Sequence, residues 1–379
     1  MKKSVSGEAL AGPVAVLYQA LAPPEIDGIR KPKKDGGYAD SGADIAFVLR
    51  RSGISVVTPV SSPREGIDLD WVFPDDEAGI AAALAAGARV LWANTILFAG
   101  HPIETIGAEC LIVGQRPELV QAYDDKWAAN AQIRAAGCLV AASFLVGQQP
   151  ENGTVALAKL SNEDLAARGL SFPVVVKPVR GRGSQGVTKV EDLGQLVRTA
   201  GELLAARTPG DGGDFATFGD QLIVEEYLEG DELTVTVMPP GTYLRGGTEV
   251  RYPRHWTLPP VARFNHRDGI APYSGVVAII DNSRVLSAEE ASSPPVAALL
   301  VDCVTAGGAI QAVAPLRIDC RRGRDGRYRL FDVNLKPNMT GAGRAGREKQ
   351  DSLVCLAARS IGWSYADLLQ AMLRQAWVG

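Results

Sequence analysis

The first third of the chain alternates short apolar runs with segments of helical spacing. Residues 14–18 (VAVLY) form an apolar run of the kind found in buried parallel strands. A segment capped by Asp40 or Ser41 and running to Arg51 carries apolar side chains at helical intervals. Further predicted elements are a strand at 54–57, an alanine-rich helix that follows Asp75 and Asp76 and runs to about Ala86, and a strand at 90–93. Strands that alternate with helices predict an open α/β domain.

Open α/β sheets bind ligands at the carboxyl ends of their parallel strands. Tyr18 with Gln19, and Asn94 with Thr95, follow two of the predicted strands and are therefore candidate lining residues. Ordinary loop positions are the other interpretation, and the sequence favours it for both pairs.

The rest of the chain mixes longer strands with helices. A helix is predicted at 124–137, with aspartates at its start and a glycine at its end. Strands are predicted at 139–146, 172–177, 221–228 and 230–238, and helices at 287–307, 352–361 and 365–377. The stretch 241–275 is predicted to be irregular. Its aromatic and basic side chains, among them Arg263 and His266, favour a substrate-covering loop over inert padding.

A glycine-rich turn at 180–186 follows the strand that ends at Lys177. Three glycines and Ser184 in seven residues allow backbone N–H groups to converge on an anion, because no Cβ blocks the approach. The turn is not a Walker loop, since GK[ST] is absent. It is followed by another apparent strand and not by the helix of a dinucleotide fingerprint. A flexible turn without a ligand is the alternative interpretation.

Residues 315–341 predict two strands joined by a tight turn at Asp325 and Gly326. In both strands apolar and polar side chains alternate, as they do in strands with one buried face. A two-residue turn at this position places four polar side chains on one side of the sheet in two facing pairs, Asp319 with Asp332 and Arg317 with Asn334.

Two carboxylates directly opposite each other on adjacent strands destabilise a sheet unless a cation separates them. Oxygen ligands of this kind suit Mg²⁺ or Mn²⁺, particularly where phosphates complete the coordination. A solvated sheet face, with Arg317 neutralising one aspartate, is the alternative, and the hairpin alone does not decide between the two.

Composition excludes several other classes of function. The chain has 379 residues, enough for two or three domains, and a net charge of −4 with a pI near 5.6. That charge gives no reason to expect nucleic-acid binding. No signal peptide is recognisable, and no segment reaches the roughly 20 apolar residues of a membrane span. Five scattered cysteines are typical of reduced thiols, so a cytoplasmic protein is expected.

Four separated segments together resemble the ATP-grasp carboxylate–amine ligases, and most closely the D-alanine–D-alanine ligases. They are, in chain order, DKWAANAQIRAAG, FPVVVKPVRGRGSQGVTKV, LIVEEYLEGDELTV and RIDCRRGRDGRYRLFDVNLKPNMTG. The resemblance covers roughly 123–369, with a gap at 240–300. It implies a three-domain ATP-grasp fold of the α/β class, α+β in its ATP-grasp part. The implied parts are an N-terminal α/β domain at 1–120, a central subdomain with a glycine-rich lid at 121–228, and a C-terminal subdomain with the hairpin at 229–379.

The resemblance also implies a role for each matched residue. ATP phosphates would be contacted by Lys126 and Lys177, beneath a flexible lid that includes Gly181, Gly183, Ser184 and Gly186. Adenine would be held by a hinge made of Glu225, Glu226, Tyr227 and Leu228, and the ribose hydroxyls by Glu232. Two Mg²⁺ or Mn²⁺ ions, bridging the phosphates, would be bound by Asp319, Asp332 and Asn334. The catalytic residues would be Arg317, which steadies the developing negative charge, and Ser184.

Departures from the family leave the substrates open. Asp332 stands where these ligases usually have glutamate, Lys336 is unusual at its position, and Asn338 replaces a glycine. The first domain lacks the GGxSxE turn that binds the first D-alanine in the family. A ligase that joins two D-alanines is therefore not expected. The candidate substrate-binding residues are Arg263, His266, Asn338 and Arg344.

The expected activity is that of an ATP-dependent ligase. It would activate a carboxylate, for preference an amino acid, as an acyl phosphate, join it to an amine, and release ADP and phosphate. The partners would be small-molecule carboxylate and amine substrates, and related ligases are commonly homodimers. Two alternatives stay open: an ATP-grasp enzyme that phosphorylates or cyclises a single substrate, and an ATP-binding protein without catalysis.

Overall fold

The structure, a computed structural model, describes residues 12–379 except 32, 109, 150–152, 182, 210–213, 266–278 and 349. It contains two five-stranded sheets, a six-stranded sheet and three two-stranded ribbons. The helices are Ala39–Arg51, Glu77–Ala85, Pro117–Tyr123, Lys126–Ala135, Asn162–Ala166, Leu193–Ala205, Ile279–Asn282, Ala288–Ser292, Pro294–Ile310, Leu353–Arg359 and Tyr365–Leu373. Within these described residues, none of the helices combines the length and the apolar character that crossing a membrane requires.

The first sheet is built mainly from the N-terminal part of the chain. Its strands, in spatial order, are Trp377–Val378, Leu111–Val113, Val90–Asn94, Val14–Tyr18 and Phe73–Pro74. All neighbours are parallel except the C-terminal strand, which returns antiparallel. The predicted strands at 14–18 and 90–93 are confirmed, and the apolar residues that open the first of them are fully buried.

The strand predicted at 54–57 is wrong. Only a single parallel bridge joins Val56 to Val14. Phe73–Pro74 pairs with Leu17 and Tyr18 at the other end of the same edge, so the 54–57 segment has room for one bridge only.

The second sheet is mostly antiparallel. Its strands, in spatial order, are Thr188–Val190, Val174–Pro178, Gln221–Glu226, Ser143–Gly147 and Val155–Ala156. Thr188–Val190 follows the glycine-rich turn and pairs antiparallel with Val174–Pro178, which confirms that a strand follows the turn. The strand predicted from 139 begins only at Ser143, because Val140 makes no more than an isolated bridge to Leu330 of a different sheet.

The third sheet is antiparallel throughout. Its strands, in spatial order, are Ser283–Val285, Val261–Arg263, Glu232–Met238, Leu316–Arg322 and Tyr328–Asn334, and Trp256–Thr257 also pairs with the central strand. Every residue of the central strand Glu232–Met238 is buried. The hairpin Leu316–Arg322 and Tyr328–Asn334 packs into one apolar core with the first sheet, since Ile318 and Leu330 share a cluster with Leu91.

The register of this hairpin agrees with the prediction where the polar residues lie. Asp319 faces Asp332 and Arg317 faces Asn334. The predicted two-residue turn is nevertheless wrong. Gly323 N–H donates to the carbonyl of Arg327, which leaves a three-residue turn that ends at Gly326 with a φ of 78°. A bulge between Asp319 and Cys320 then inserts one extra residue in the second strand and restores the predicted pairing beyond it.

The stretch 241–275 is not irregular where the structure describes it. Gly241–Arg245 and Thr248–Tyr252 form an antiparallel ribbon. Its rings pack inwards: Tyr252 stacks on Trp256 with centroids 4.3 Å apart, and Tyr243 lies edge-on to Trp256 at 5.0 Å. These three rings pack against one another, and the part of the predicted covering loop from 266 to 275 lies outside the described residues.

Two helix starts differ from prediction. Ala39–Arg51 begins before Asp40 and Ser41 and has no side-chain cap; its N-cap residue is Tyr38, in the left-handed conformation with a φ of 65°. The helix predicted at 124–137 is Lys126–Ala135, with the Asp125 carboxylate accepting from Ala128 N–H. That cap satisfies a backbone N–H of the first turn, in which Lys126 is the first residue.

Candidate functional site

A cavity of about 320 Å³ receives side chains from the second and third sheets and from loops beside the first. Fifteen of the residues singled out from the sequence line it: Lys126, Lys177, Gly181, Gly183, Ser184, Glu225, Glu226, Tyr227, Leu228, Glu232, Arg317, Asp319, Asp332, Asn334 and Asn338. These residues span more than 200 positions of the chain, so the fold and not local sequence brings them together.

Lys126 stands at one wall of the cavity. Its ammonium lies 2.7 Å from Asp332 Oδ1, and its own backbone N–H donates to the carbonyl of Val179, next to the glycine-rich turn. Burial alone would lower the pKa of Lys126, but the charge and hydrogen bond of Asp332 outweigh it and raise that pKa. For Asp332, burial would raise the pKa, and the nearby charges of Lys126 and Lys177 lower it instead. Both groups are therefore charged at neutral pH.

Lys177 and Glu225 form a second, more deeply buried pair. The Lys177 ammonium lies 2.7 Å from Glu225 Oε1, and each side chain is 5% exposed. Burial raises the pKa of Glu225 although Lys177 opposes the shift. The other carboxylate oxygen, Oε2, has no hydrogen-bond partner among the described residues. A buried acceptor with no donor in the protein fits a donor supplied by a ligand, such as the exocyclic amine of adenine.

Asp319 is the most heavily hydrogen-bonded member of the hairpin. Arg317 donates to both of its oxygens, from Nε at 3.1 Å and from Nη2 at 2.9 Å. Thr234 Oγ1 donates at 2.8 Å, and Asn334 Nδ2 donates at 3.2 Å. Asn334 Nδ2 also reaches Asp332 at 3.4 Å, so the amide joins the two carboxylates.

This donor set fits a magnesium ion that also binds phosphate oxygens. Among the described residues there is no cluster of three or more histidine, cysteine, aspartate or glutamate side chains that would hold a metal alone. Mg²⁺ in nucleotide sites typically takes one or two carboxylates and completes its shell with phosphates and water. Asp319 and Asp332 face each other and supply two carboxylates, and rotation of the Asn334 amide would supply a third oxygen.

The residues of the hinge lie at the end of Gln221–Glu226, which is hydrogen-bonded along both edges. Tyr227 follows this strand, and its ring lies under two cations, Lys189 at 4.6 Å and Arg321 at 5.6 Å from the ring centroid. Leu228 and Glu232 are both buried. These residues therefore line the cavity next to a strand that is paired along both edges.

The glycine-rich turn adopts the backbone conformation that its composition predicts. Gly183, Ser184 and Gly186 have φ values of 62°, 57° and 71°, and a serine in this region of φ/ψ space is strained. Gly186 does not line the cavity. Its Cα lies against the rings of Pro178 and Phe218, where a Cβ would come within 2.9 Å and 3.0 Å of their carbons.

Two candidate substrate residues do not line the cavity, and a third is not described. Arg344 is 4% exposed and is held by Asp44 at 2.7 Å and by the carbonyls of Glu65 and Asp40. The prediction for Arg344 is thus corrected to a structural role, because its guanidinium already donates hydrogen bonds to these groups. Arg263 is buried in its strand opposite Glu232 and does not line the cavity. His266 lies outside the described residues.

Fifteen further lining residues were given no role from the sequence. Three of them are Lys31, Tyr38 and Lys336. Lys336 could have been found, since it continues the polar face of the strand that carries Asp332 and Asn334. Lys31 and Tyr38 come from loops after the first strand, and no local pattern marks loop residues that approach a cavity formed by distant parts of the chain.

Known proteins resemble this chain in sequence and in fold. A model of the ATP-grasp domain matches residues 170–239. The D-alanine–D-alanine ligase of Marinomonas sp. (strain MWYL1) is 26% identical over 220 residues, which is 57% of this chain and 57% of the relative. That of Xanthomonas axonopodis pv. citri (strain 306) is 30% identical over 223 residues, 58% of this chain and 57% of the relative. The matched region thus spans a little over half the length of these relatives.

Solved structures resemble the whole fold. The D-alanine–D-alanine ligase from Bacillus anthracis complexed with ATP superposes with a TM-score of 0.62 at 15% identity, covering 96% of each chain. The VanG D-Ala:D-Ser ligase from Enterococcus faecalis gives a TM-score of 0.59 at 15% identity, covering 95% of this chain and 97% of the other. The chain therefore has the ATP-grasp fold, and it resembles the D-alanine–D-alanine ligases.

Proposed function

We propose that the protein is an ATP-dependent ligase that activates a carboxylate as an acyl phosphate, joins it to an amine, and releases ADP and phosphate. One observation carries the proposal: Lys126 and Lys177 converge with Asp319 and Asp332 on a single cavity that the glycine-rich turn also lines. Cations, facing carboxylates and a glycine-rich turn are the parts that phosphoryl transfer needs, because its catalysis is mainly positioning and charge stabilisation.

The two lysines have separate tasks in this proposal. Lys126 is 19% exposed and Lys177 5%. The Lys126 ammonium, nearer to solvent, would hold the transferred phosphate, while the buried Lys177 would hold the inner phosphates and keep its pairing with Glu225. A fixed ammonium in a water-poor site stabilises developing charge more strongly than it would in water.

Magnesium, when bound with the nucleotide, would screen the phosphate charges against Asp319 and Asp332. The chain's own contribution is orientation. Arg317 donates two hydrogen bonds to Asp319 and lines the cavity, so its guanidinium has a fixed position there. Arg317 would thus face the oxygen that becomes negative when the amine attacks the acyl carbonyl.

The turn at 180–186 would exclude water. An acyl phosphate hydrolyses if water reaches it, so a lid is needed over the reacting atoms. Ser184 lines the cavity from the strained part of the turn, and it would contact phosphate oxygens there. No side-chain base is assigned, since a phosphate oxygen can accept the proton of the attacking amine.

The test is a screen of carboxylate and amine pairs for phosphate release with ATP and Mg²⁺. Amino acids of both configurations are the first panel, and mass spectrometry identifies the product. We expect phosphate release that needs both substrates, with ADP and not AMP as the nucleotide product. Asp319→Ala is expected to abolish it, with Asp325→Ala, at the exposed hairpin turn, as the matched control. ADP formation that needs only one substrate would favour a kinase if no free phosphate appears, or a cyclising enzyme if phosphate is released. ATP binding without ADP formation would contradict catalysis.

A further inference from the structure

Lys336, Tyr38 and Asn94 form a cluster at the end of the cavity that faces the first sheet. The Lys336 ammonium lies 3.6 Å from the centroid of the Tyr38 ring and 3.2 Å from Asn94 Oδ1. Lys336 and Tyr38 both line the cavity. A lysine that is held by an aromatic face and an amide keeps its charge in one place, as a binding group must.

The position of Tyr38 is built into the backbone. Gly36, Gly37 and Tyr38 have consecutive positive φ values of 69°, 56° and 65°. A Cβ on Gly37 would lie 2.0 Å from the carbonyl oxygen of Gln19, so only glycine fits there. Strain of this kind at a non-glycine residue persists only where the surroundings hold it in place.

Asn94 contacts both of the other residues of the cluster. Its Nδ2 donates to the carbonyl of Tyr38 at 2.9 Å and to Ser41 Oγ at 3.0 Å, while its Oδ1 accepts from Lys336. Asn94 is 2% exposed, at the carboxyl end of a central strand of the first sheet. A buried amide with all of these contacts satisfied has a single orientation.

One lining carboxylate from the N-terminal part of the chain is already paired with cations. Asp124 is the carboxylate among the described lining residues from the N-terminal part of the chain, and it lies 2.6 Å from Lys31 and 3.9 Å from Arg180. That carboxylate is therefore already neutralised. Asp124 has no excess negative charge with which to hold the ammonium of a substrate.

The distance also suits a small substrate. Lys336 follows Asn334 by two residues, so their Cα atoms lie no more than roughly 7 Å apart. A molecule whose reacting carboxylate lies beside the hairpin would thus be close enough for a second group of the same molecule to contact Lys336.

Resting on the proposed ligase function, we propose that Lys336 binds a second carboxylate, one that is not activated, and thereby selects the substrate. This carboxylate has two possible sources. It is the α-carboxylate of an amino acid that serves as the amine, or the second carboxylate of a diacid that serves as the acyl donor. Asn94 and Tyr38 are positioning residues for Lys336 in either case.

The test compares acids with their amides in binding and in turnover. Thermal-shift titrations of the protein with ADP and Mg²⁺ use amino acids of both configurations and dicarboxylates of two to six carbons, each beside its carboxamide. We expect the acids to bind and the amides to bind more weakly. Lys336→Met should weaken binding of the acids by about 10- to 100-fold and leave the amides unchanged. Lys159→Met, at an exposed position away from the cavity, is the matched control.

The two sources are separated by which compounds respond. If Lys336→Met loses affinity only for amino acids, the carboxylate belongs to the amine substrate. If it loses affinity only for dicarboxylates, the carboxylate belongs to the acyl donor. In the phosphate-release assay Lys336→Met should raise the KM of that substrate far more than it changes kcat. Equal affinity of Lys336→Met and Lys159→Met for every acid, or no acid bound by the wild type, would overturn the proposal. Because binding is measured without turnover, a protein that binds acids but never releases phosphate would contradict only the ligase function.

A second pair of variants tests the cluster without removing the lysine. Gly37→Ala should displace Tyr38 and weaken binding of the same acid, because its Cβ would meet Gln19. Gly36→Ala has a similar φ but nothing within 4 Å of the added Cβ, so it should retain the affinity. Identical binding by the two variants would contradict the role given to Tyr38.

Discussion

The ammonium of Lys177 donates a 3.1 Å hydrogen bond to the backbone carbonyl of Phe331, the residue at which the bulge interrupts the hairpin's cross-strand pairing. The same ammonium lies 2.7 Å from Glu225. A β-bulge leaves one residue outside the ladder, and here its carbonyl accepts from a lysine of another sheet. The irregularity that restores the register of Asp319 and Asp332 thus also fixes Lys177 between the two sheets.

Replacing Lys177 by methionine should destabilise the protein in a pH-dependent way. The variant leaves the Glu225 carboxylate buried without its ammonium, which costs about 3 kcal/mol of unfolding free energy at pH 8. Burial already raises the pKa of Glu225, and losing Lys177 raises it further. With a raised folded-state pKa, the penalty is absent below the unfolded-state pKa of about 4.3. It grows as pH rises from there towards the folded-state pKa, and it is complete above the folded-state pKa. Urea unfolding at pH 5 and pH 8 measures the difference.

The double variant Lys177→Met with Glu225→Gln is the control for this prediction. It removes the charge that becomes stranded, so it should recover much of the stability at pH 8 and lose the pH dependence. A loss of stability in Lys177→Met that is the same at both pH values would mean that the Glu225 charge is not its cause.

Asp332 should determine the Mg²⁺ concentration at which phosphate release is half-maximal. Asp332→Asn keeps the size of the side chain but removes one negative charge from the pair that faces the cavity, and it removes the charge opposite Lys126. We expect the Mg²⁺ concentration for half-maximal phosphate release to rise about tenfold or more. Asp332→Glu keeps the charge and should stay closer to the wild type. Calorimetric titration of Mg²⁺ in the presence of ADP measures the Mg²⁺ affinity of the three proteins without turnover. Equal Mg²⁺ dependence in all three would contradict the role of Asp332 as a metal ligand.

The hairpin shows which features of a structure a sequence pattern predicts and which it does not. Alternation of polar and apolar residues predicts that Asp319 faces Asp332, and the structure confirms it. The turn was assigned one residue too short, and the bulge compensates for that difference. Alternation is dictated by burial of one face, which the sequence records, whereas a bulge depends on contacts such as Lys177 to Phe331 that come from another sheet.

Errors in the candidate site have the same physical origin. Arg344 was predicted to bind substrate because a bidentate arginine beside the hairpin suits a carboxylate. Its carboxylate is instead Asp44, 300 residues earlier in the chain. Asn94 was favoured as an ordinary loop residue, although its amide joins Tyr38 to Lys336. Partners this far apart in sequence are defined only by the fold.

Gly186 should matter to the lid for its packing as well as its φ. Gly186→Ala and Gly183→Ala both place an alanine at positive φ, which costs about 1 kcal/mol each. At Gly186 the new Cβ would also meet Pro178 and Phe218, whereas nothing lies within 4 Å at Gly183. Gly186→Ala should therefore lower both stability and kcat more than Gly183→Ala, as measured by thermal unfolding and phosphate release. A larger loss of stability and kcat in Gly183→Ala than in Gly186→Ala would contradict the packing role given to Gly186.

Replacing Arg344 by methionine separates a structural role from substrate binding. The guanidinium contacts Asp44, which is fully buried, and two backbone carbonyls. Losing these charged hydrogen bonds should lower the unfolding free energy by about 3 kcal/mol, as measured by urea unfolding. Arg347→Met is the matched control, because Arg347 binds the same carboxylate from a more exposed position and should cost less. Arg344 does not line the cavity, so the KM values for both substrates should stay close to those of the wild type. A raised KM with unchanged stability would instead restore the substrate-binding role.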